Sequence, residues 1–275
     1  MSFLSSFTQI IMLCCLPPVL FGLAVWGCRQ AYCFFVGEDA GRPLILAASV
    51  LSTPLRELGH AMMAVLTLHR IEDFCLLNIH DPDGELGFVE HSYNPRNPIA
   101  VLGNFFYALG PVVTGLGTVL LLFLIFFHGV LPPFFEEIEA LGEAGADFGA
   151  YALAALSLIP KMFSAGEAGV FARIVGCLLL LAVCFCAHVT PTELMEALGG
   201  FVVFSLLAAL STGILLLFDD RVMRIAISGF RTYATVVTAL FLVVLLFSVA
   251  AIAIGFVFGV IRTLFNLDGI PEDRE

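Results

Sequence analysis

The chain has 275 residues, 60% of them hydrophobic and only 13% charged, and a mean hydropathy of +1.02. This composition excludes a water-soluble globular domain and points to an integral membrane protein, read as one membrane domain over residues 1–275. The formal charge of -11, with a single Lys beside the arginines, leaves no basic patch to neutralise a nucleic-acid backbone, so no nucleic-acid partner is expected and membrane lipid is.

A membrane-crossing helix needs roughly 20 apolar residues. Six stretches meet that length, at about 8–27, 43–68, 99–127, 169–188, 199–218 and 232–264. The first has no basic residues before it and no small-residue cleavage site after it, so it reads as a retained helix, with Pro17-Pro18 expected to kink or break it. The second is interrupted only by Arg56, Glu57 and His60, close to its middle. A charged side chain at that depth costs roughly 2.5 to 3.5 kcal/mol on insertion scales, so such residues face a protein interior and mark a functional site. On a helix, positions 56 and 60 are one turn apart on one face with Glu57 beside them, and Pro54 loosens the backbone just before them.

Next comes "RIEDFCLLNIHDPDGELGFVEHSYNPRNP", where short apolar runs flank Asp81-Pro82-Asp83-Gly84 and predict a β-hairpin over about 71–92. Its open edges cannot face lipid, so it lies at the interface or against protein, with His80 and His91 as surface residues beside the turn. The third stretch is long enough to bend at Gly110-Pro111, and it carries Asn104, a candidate to hydrogen-bond the second helix or an extended substrate. An acidic loop over 129–168 follows, in which Glu136, Glu137, Glu139 and Glu143 alternate with apolar residues as in a surface-lying helix. The fourth stretch ends at His188, with Glu193 and Glu196 just beyond it. The cysteines lie mostly in apolar runs and are expected to behave as small hydrophobes. The fold class expected is an all-α polytopic membrane protein, with about six transmembrane helices and a small β-hairpin after the second.

The segment "STPLRELGHAMMAVLTLHRI", followed by a hairpin, "GFVEHSYNPRNP" and "GNFFYALGPVVTG", resembles the catalytic region of site-2-protease-type membrane zinc metallopeptidases and their metallopeptidase-like bacterial relatives. The likeness covers about residues 50–120 and, more weakly, "HVTPTELMEALGG". In that family H-E-x-x-H lies within the bilayer and holds zinc. The resemblance implies that Glu57 is the catalytic glutamate that takes a proton from zinc-bound water and that His60 is a metal ligand. It also implies a multi-pass protein of the bacterial inner membrane acting on membrane-embedded or membrane-proximal peptide segments. Arg56 stands where the first histidine ligand belongs; a guanidinium stays protonated and offers no lone pair to zinc. His188 and His69 are the candidates to complete a ligand set. Met195 occupies the position where the relatives carry an acidic residue, and Asp268 in "FNLDGIP" is a weak match to the family's aspartate ligand.

Two main readings follow. One is a zinc peptidase with an unusual ligand set of His60, His188 and His69 or an acidic residue. The other is a non-catalytic relative in which the charge of Arg56 replaces that of the metal and pairs with Glu57 or another buried acid, leaving a peptide-binding or scaffold subunit. A transporter is a third reading, on the embedded charges alone; no internal repeat or paired broken helices support it.

Overall fold

The computed structural model describes residues 2–37, 41–79, 86–164, 169–218 and 220–265. It is an all-helical polytopic membrane fold with one small antiparallel hairpin. Among the described residues the order is α1 (Phe3–Val36), α2 (Arg42–Leu66), β1 (Arg70–Cys75), β2 (Phe88–Ser92), α3 (Pro98–Ala108), α4 (Gly110–Phe126), α5 (Leu131–Glu143), α6 (Phe148–Ser164), α7 (Val170–Val183), α8 (Pro191–Phe218) and α9 (Asp220–Leu264).

Each of the six apolar stretches contains a helix, that of the fourth ending at Val183. By length and composition α1, α8 and α9 can cross a bilayer, and α3 with α4 makes a fourth span bent by 48°. That bend falls at Leu109, beside the Gly110-Pro111 pair expected to cause it. The 14 residues of α7 reach only about 21 Å at 1.5 Å per residue, short of a 30 Å hydrocarbon core. Its chain continues instead as the non-helical connection 184–190 inside the bundle, which carries His188.

Pro17-Pro18 does not break α1, contrary to expectation. A proline at position 18 leaves the carbonyl of Cys14 without its helical donor. The hydroxyl of Tyr233 on α9 donates to that carbonyl at 3.4 Å, so a neighbouring helix takes over the lost bond. The long α1 and α9 pack along each other: a Cβ on Gly255 would lie 3.0 Å from Val36, and one on Gly259 would lie 2.5 Å from the Phe35 carbonyl oxygen.

The acidic segment 129–168 is not a loop; it holds α5 and α6. Leu131, Phe134 and Ile138 recur at helical spacing and bury one face of α5, while Glu136, Glu139 and Glu143 stay exposed. Glu137 accepts from Lys161 of α6 at 2.8 Å. The hairpin pairs Arg70 with Ser92 and Cys75 with Phe88, with an irregularity between Ile71 and Asp73. Its expected turn at 81–84, along with His80 and Asp268, falls outside the described residues. No two of the eight cysteines are joined in a disulfide.

The site is positioned by one backbone crossing. A Cβ on Gly59 would fall 2.5 Å from the carbonyl oxygen of Gly110, and one on Gly110 would fall 2.4 Å from that of Gly59. Only paired glycines let α2 and α4 approach this closely. The contact turns the neighbouring Glu57 and His60 inward, each 2% exposed.

Candidate functional site

The polar centre is a network drawn from two helices that are remote in sequence. The guanidinium of Arg56 on α2 donates from Nη1 to Oε1 of Glu57 and from Nη2 to Oε1 of Glu193 on α8. The same Oε1 lies 3.0 Å from Nε2 of His60. Nδ1 of His60 sits 3.1 Å from the carbonyl oxygen of Tyr107, and the two rings lie 4.5 Å apart. Both partners of His60 are acceptors, so the two contacts are met together when both ring nitrogens carry hydrogen. A guanidinium held between two carboxylates is how charge is tolerated in an apolar interior.

Glu193 is held in place by its own helix start. Its Oε2 accepts from the backbone N–H of Thr190 at 2.8 Å, while the Thr190 hydroxyl accepts from the backbone N–H of Glu193 at 3.2 Å. This is a reciprocal capping box, T-P-T-E, with Pro191 in the first helical turn where its missing N–H is harmless. One oxygen of Glu193 caps α8 and the other joins the network. Glu193 is therefore a site residue that the charge pattern around residue 56 did not single out. The T-x-x-E spacing directly after His188 is the signal that could have found it.

Beside the network an open cleft of about 580 Å³ is lined by Arg56, Glu57, His60, Tyr107, Glu193 and Glu196, and strand β2 forms its other wall. Tyr107 ties that wall to α3 by donating from its hydroxyl to the carbonyl of Val89 at 3.0 Å.

The remaining expected residues are distributed differently. His69 does fold back once α2 ends: Leu68 takes a positive φ of 64°, and the His69 N–H donates to the Ala64 carbonyl at 2.9 Å. Its ring goes to a separate layer, with Nε2 2.7 Å from the Ala100 carbonyl oxygen and its face stacked on His91 at 4.9 Å and Tyr93 at 5.0 Å. His91, expected at the surface, is half-buried in that layer and lies 4.0 Å from the ring of Tyr107. Burial and the neighbouring His69 pull His91 below the usual histidine pKa, against the opposing pull of the Asn104 side chain as an acceptor. Asn104 therefore acts on His91 of the hairpin. His188 donates from Nδ1 to the Phe185 carbonyl at 2.6 Å. Met195 is 69% exposed on the outer side of α8 and takes no part in the site.

These residues do not fit zinc. A guanidinium occupies the space between the two carboxylates, and His60 is engaged at both nitrogens. Among the described residues no three His, Cys, Asp or Glu side chains are grouped to hold a metal ion. The rings of the expected set, His60, His188 and His69, each contact a different backbone carbonyl, of Tyr107, Phe185 and Ala100. Comparison with protein-family models, curated proteins and solved structures found no match for the chain.

Proposed function

We propose that this chain is a metallopeptidase-like membrane protein without a zinc centre, which binds a membrane-embedded or membrane-proximal peptide segment as a non-catalytic binding or scaffold subunit, in a bacterial inner membrane. The observation that carries the reading is Arg56 lodged between Glu57 and Glu193. A fixed guanidinium supplies positive charge where a metal would otherwise offset the carboxylates, but it provides neither a Lewis acid nor an activated water. The cleft beside it supports binding: it is open, it is bordered by strand β2, and its polar groups Glu196 and Thr192 are exposed. The likeness of R-E-L-G-H and its flanks to the peptidase helix supports a peptide as the occupant.

The test is metal content and capture together. Purified from zinc-replete cells, wild type is expected to contain no stoichiometric zinc. A photoreactive residue at Thr192 is expected to cross-link a membrane polypeptide, and a bulky Glu196→Trp in the cleft to abolish the adduct. Near-stoichiometric zinc in wild type that vanishes with His60→Ala would return the protein to the peptidases.

A further inference from the structure

A cavity of about 550 Å³ is walled by α1, α5, α6 and α9 and shares no residue with the cleft beside Arg56. Met12, Leu16 and Pro17 of α1 give it one apolar side. The other side is polar. Arg231, Thr235 and Thr238 follow one another at helical spacing along one face of α9, and Glu139 and Glu143 stand one turn apart on α5.

Among the described residues, none of these polar side chains has a partner. Arg231, Glu139 and Glu143 line one cavity, yet they form no ion pair or hydrogen bond with each other or with anything else. Elsewhere in the long helices, Thr212 and Thr232 return their hydroxyls to the carbonyl four residues back. The half-buried Thr235 and Thr238 do not, and the hydroxyl of Tyr151 on α6, also on the wall, is equally unengaged among the described residues. Carboxylates at i and i+4 repel each other until a cation sits between them. A guanidinium beside free hydroxyls offers the donors that an oxyanion takes.

The depth of the cavity follows from α9. Residues 232–261 carry no charge and reach about 45 Å at 1.5 Å per residue, more than the roughly 30 Å of a hydrocarbon core. Arg231, the charge that ends this stretch, stands at one headgroup layer, and Thr238 is only two turns deeper. The α1 wall is at the same level, because Tyr233 bonds the Cys14 carbonyl there.

We infer that this cavity holds the headgroup of a phospholipid with a primary ammonium, a phosphoethanolamine. The fork of Arg231 takes the phosphate oxygens with the Thr235 hydroxyl beside it, and the ammonium donates to Glu139 and Glu143. The acyl chains leave along Met12 and Leu16, which are 53% and 51% exposed. A choline headgroup has no N–H to give the carboxylates, and an anionic headgroup without an amine would face them unbalanced. The inference is independent of the peptide-binding reading, since the two sites have no residue in common.

The experiment uses the full chain, delipidated in mild detergent, as wild type, Arg231→Gln, the double variant Glu139→Gln with Glu143→Gln, and Arg224→Gln. None of these side chains makes a hydrogen bond or ion pair among the described residues, so all four proteins should unfold at similar temperatures without lipid. Phosphatidylethanolamine, phosphatidylcholine and phosphatidylglycerol with identical acyl chains are added in equal amounts, and native mass spectrometry reads the lipid retained. Wild type should retain one phosphatidylethanolamine, by about fivefold or more over either competitor. Arg231→Gln should lower that retention by about tenfold, and the double variant should bring the ethanolamine and choline lipids level. Arg224→Gln, two turns farther from the apolar stretch and off the cavity wall, should behave as wild type. No retained lipid in wild type, no preference or preference for another lipid, or equal losses in Arg224→Gln and Arg231→Gln overturns the site.

Discussion

Glu193, in the first turn of α8, contacts Arg56, midway along α2, across a sequence separation of 137 residues. That contact joins two helices at the level of the Gly59–Gly110 crossing and lets one carboxylate serve both a helix cap and a buried cation. Everything that distinguishes this site from a metal centre follows from it.

Removing the cation should therefore be costly. Arg56→Leu leaves Glu57, 3% exposed, and Glu193, 13% exposed, without the guanidinium that joins them. Breaking a buried pair from one side costs about 3–5 kcal/mol. Unfolding in detergent should shift by an amount of that order, and Arg56→Lys, which keeps the charge but not the fork, should fall in between. An Arg56→Leu protein as stable as wild type would show that the network does not hold the two helices.

The glycine crossing predicts a second loss. Gly59→Ala drives a methyl group onto the Gly110 carbonyl oxygen, which is backbone and cannot rotate away. Overpacking of this kind costs about 1–3 kcal/mol. Gly117→Ala lies on the continuing face of α4 with nothing within 4 Å of the added carbon, and should be neutral or slightly stabilising. The contrast between the two unfolding midpoints tests the crossing itself.

His91 makes stability depend on pH. Its folded pKa lies below the usual value, so the native state resists protonation more than the unfolded chain does. Below about pH 6.5 the unfolded state binds the extra proton, and stability falls as pH drops from there toward the lower folded pKa. The charged ring would face His69 at 4.9 Å, so the hairpin is the element that loosens. Unfolding temperatures at pH 7.5 and pH 5.5 should differ more in wild type than in His91→Gln; equal differences would assign the effect to other groups.

Much of this protein was legible in order along the chain. The membrane class, a helix in each of the six apolar stretches, the hairpin and the bend beside Gly110-Pro111 all come from local properties: apolar run length, turn residues and the missing proline N–H. The cluster of Arg56, Glu57 and His60 was equally plain, because polar residues in an apolar run stand out by composition alone, although α2, expected to span, is not among the helices long and apolar enough to cross a bilayer.

What only the tertiary structure decided was which groups meet. His69, His91 and Asn104 were each placed by whichever acceptor or ring the neighbouring helix and hairpin offered, so the histidines that seemed available as ligands settled on backbone carbonyls and one another. Glu193 was read as a residue just past a helix end, and became the centre of the site because α8 starts against the middle of α2. Pairing across 137 residues depends on how helices cross, and a crossing set by glycines brings no side-chain pattern of its own to read.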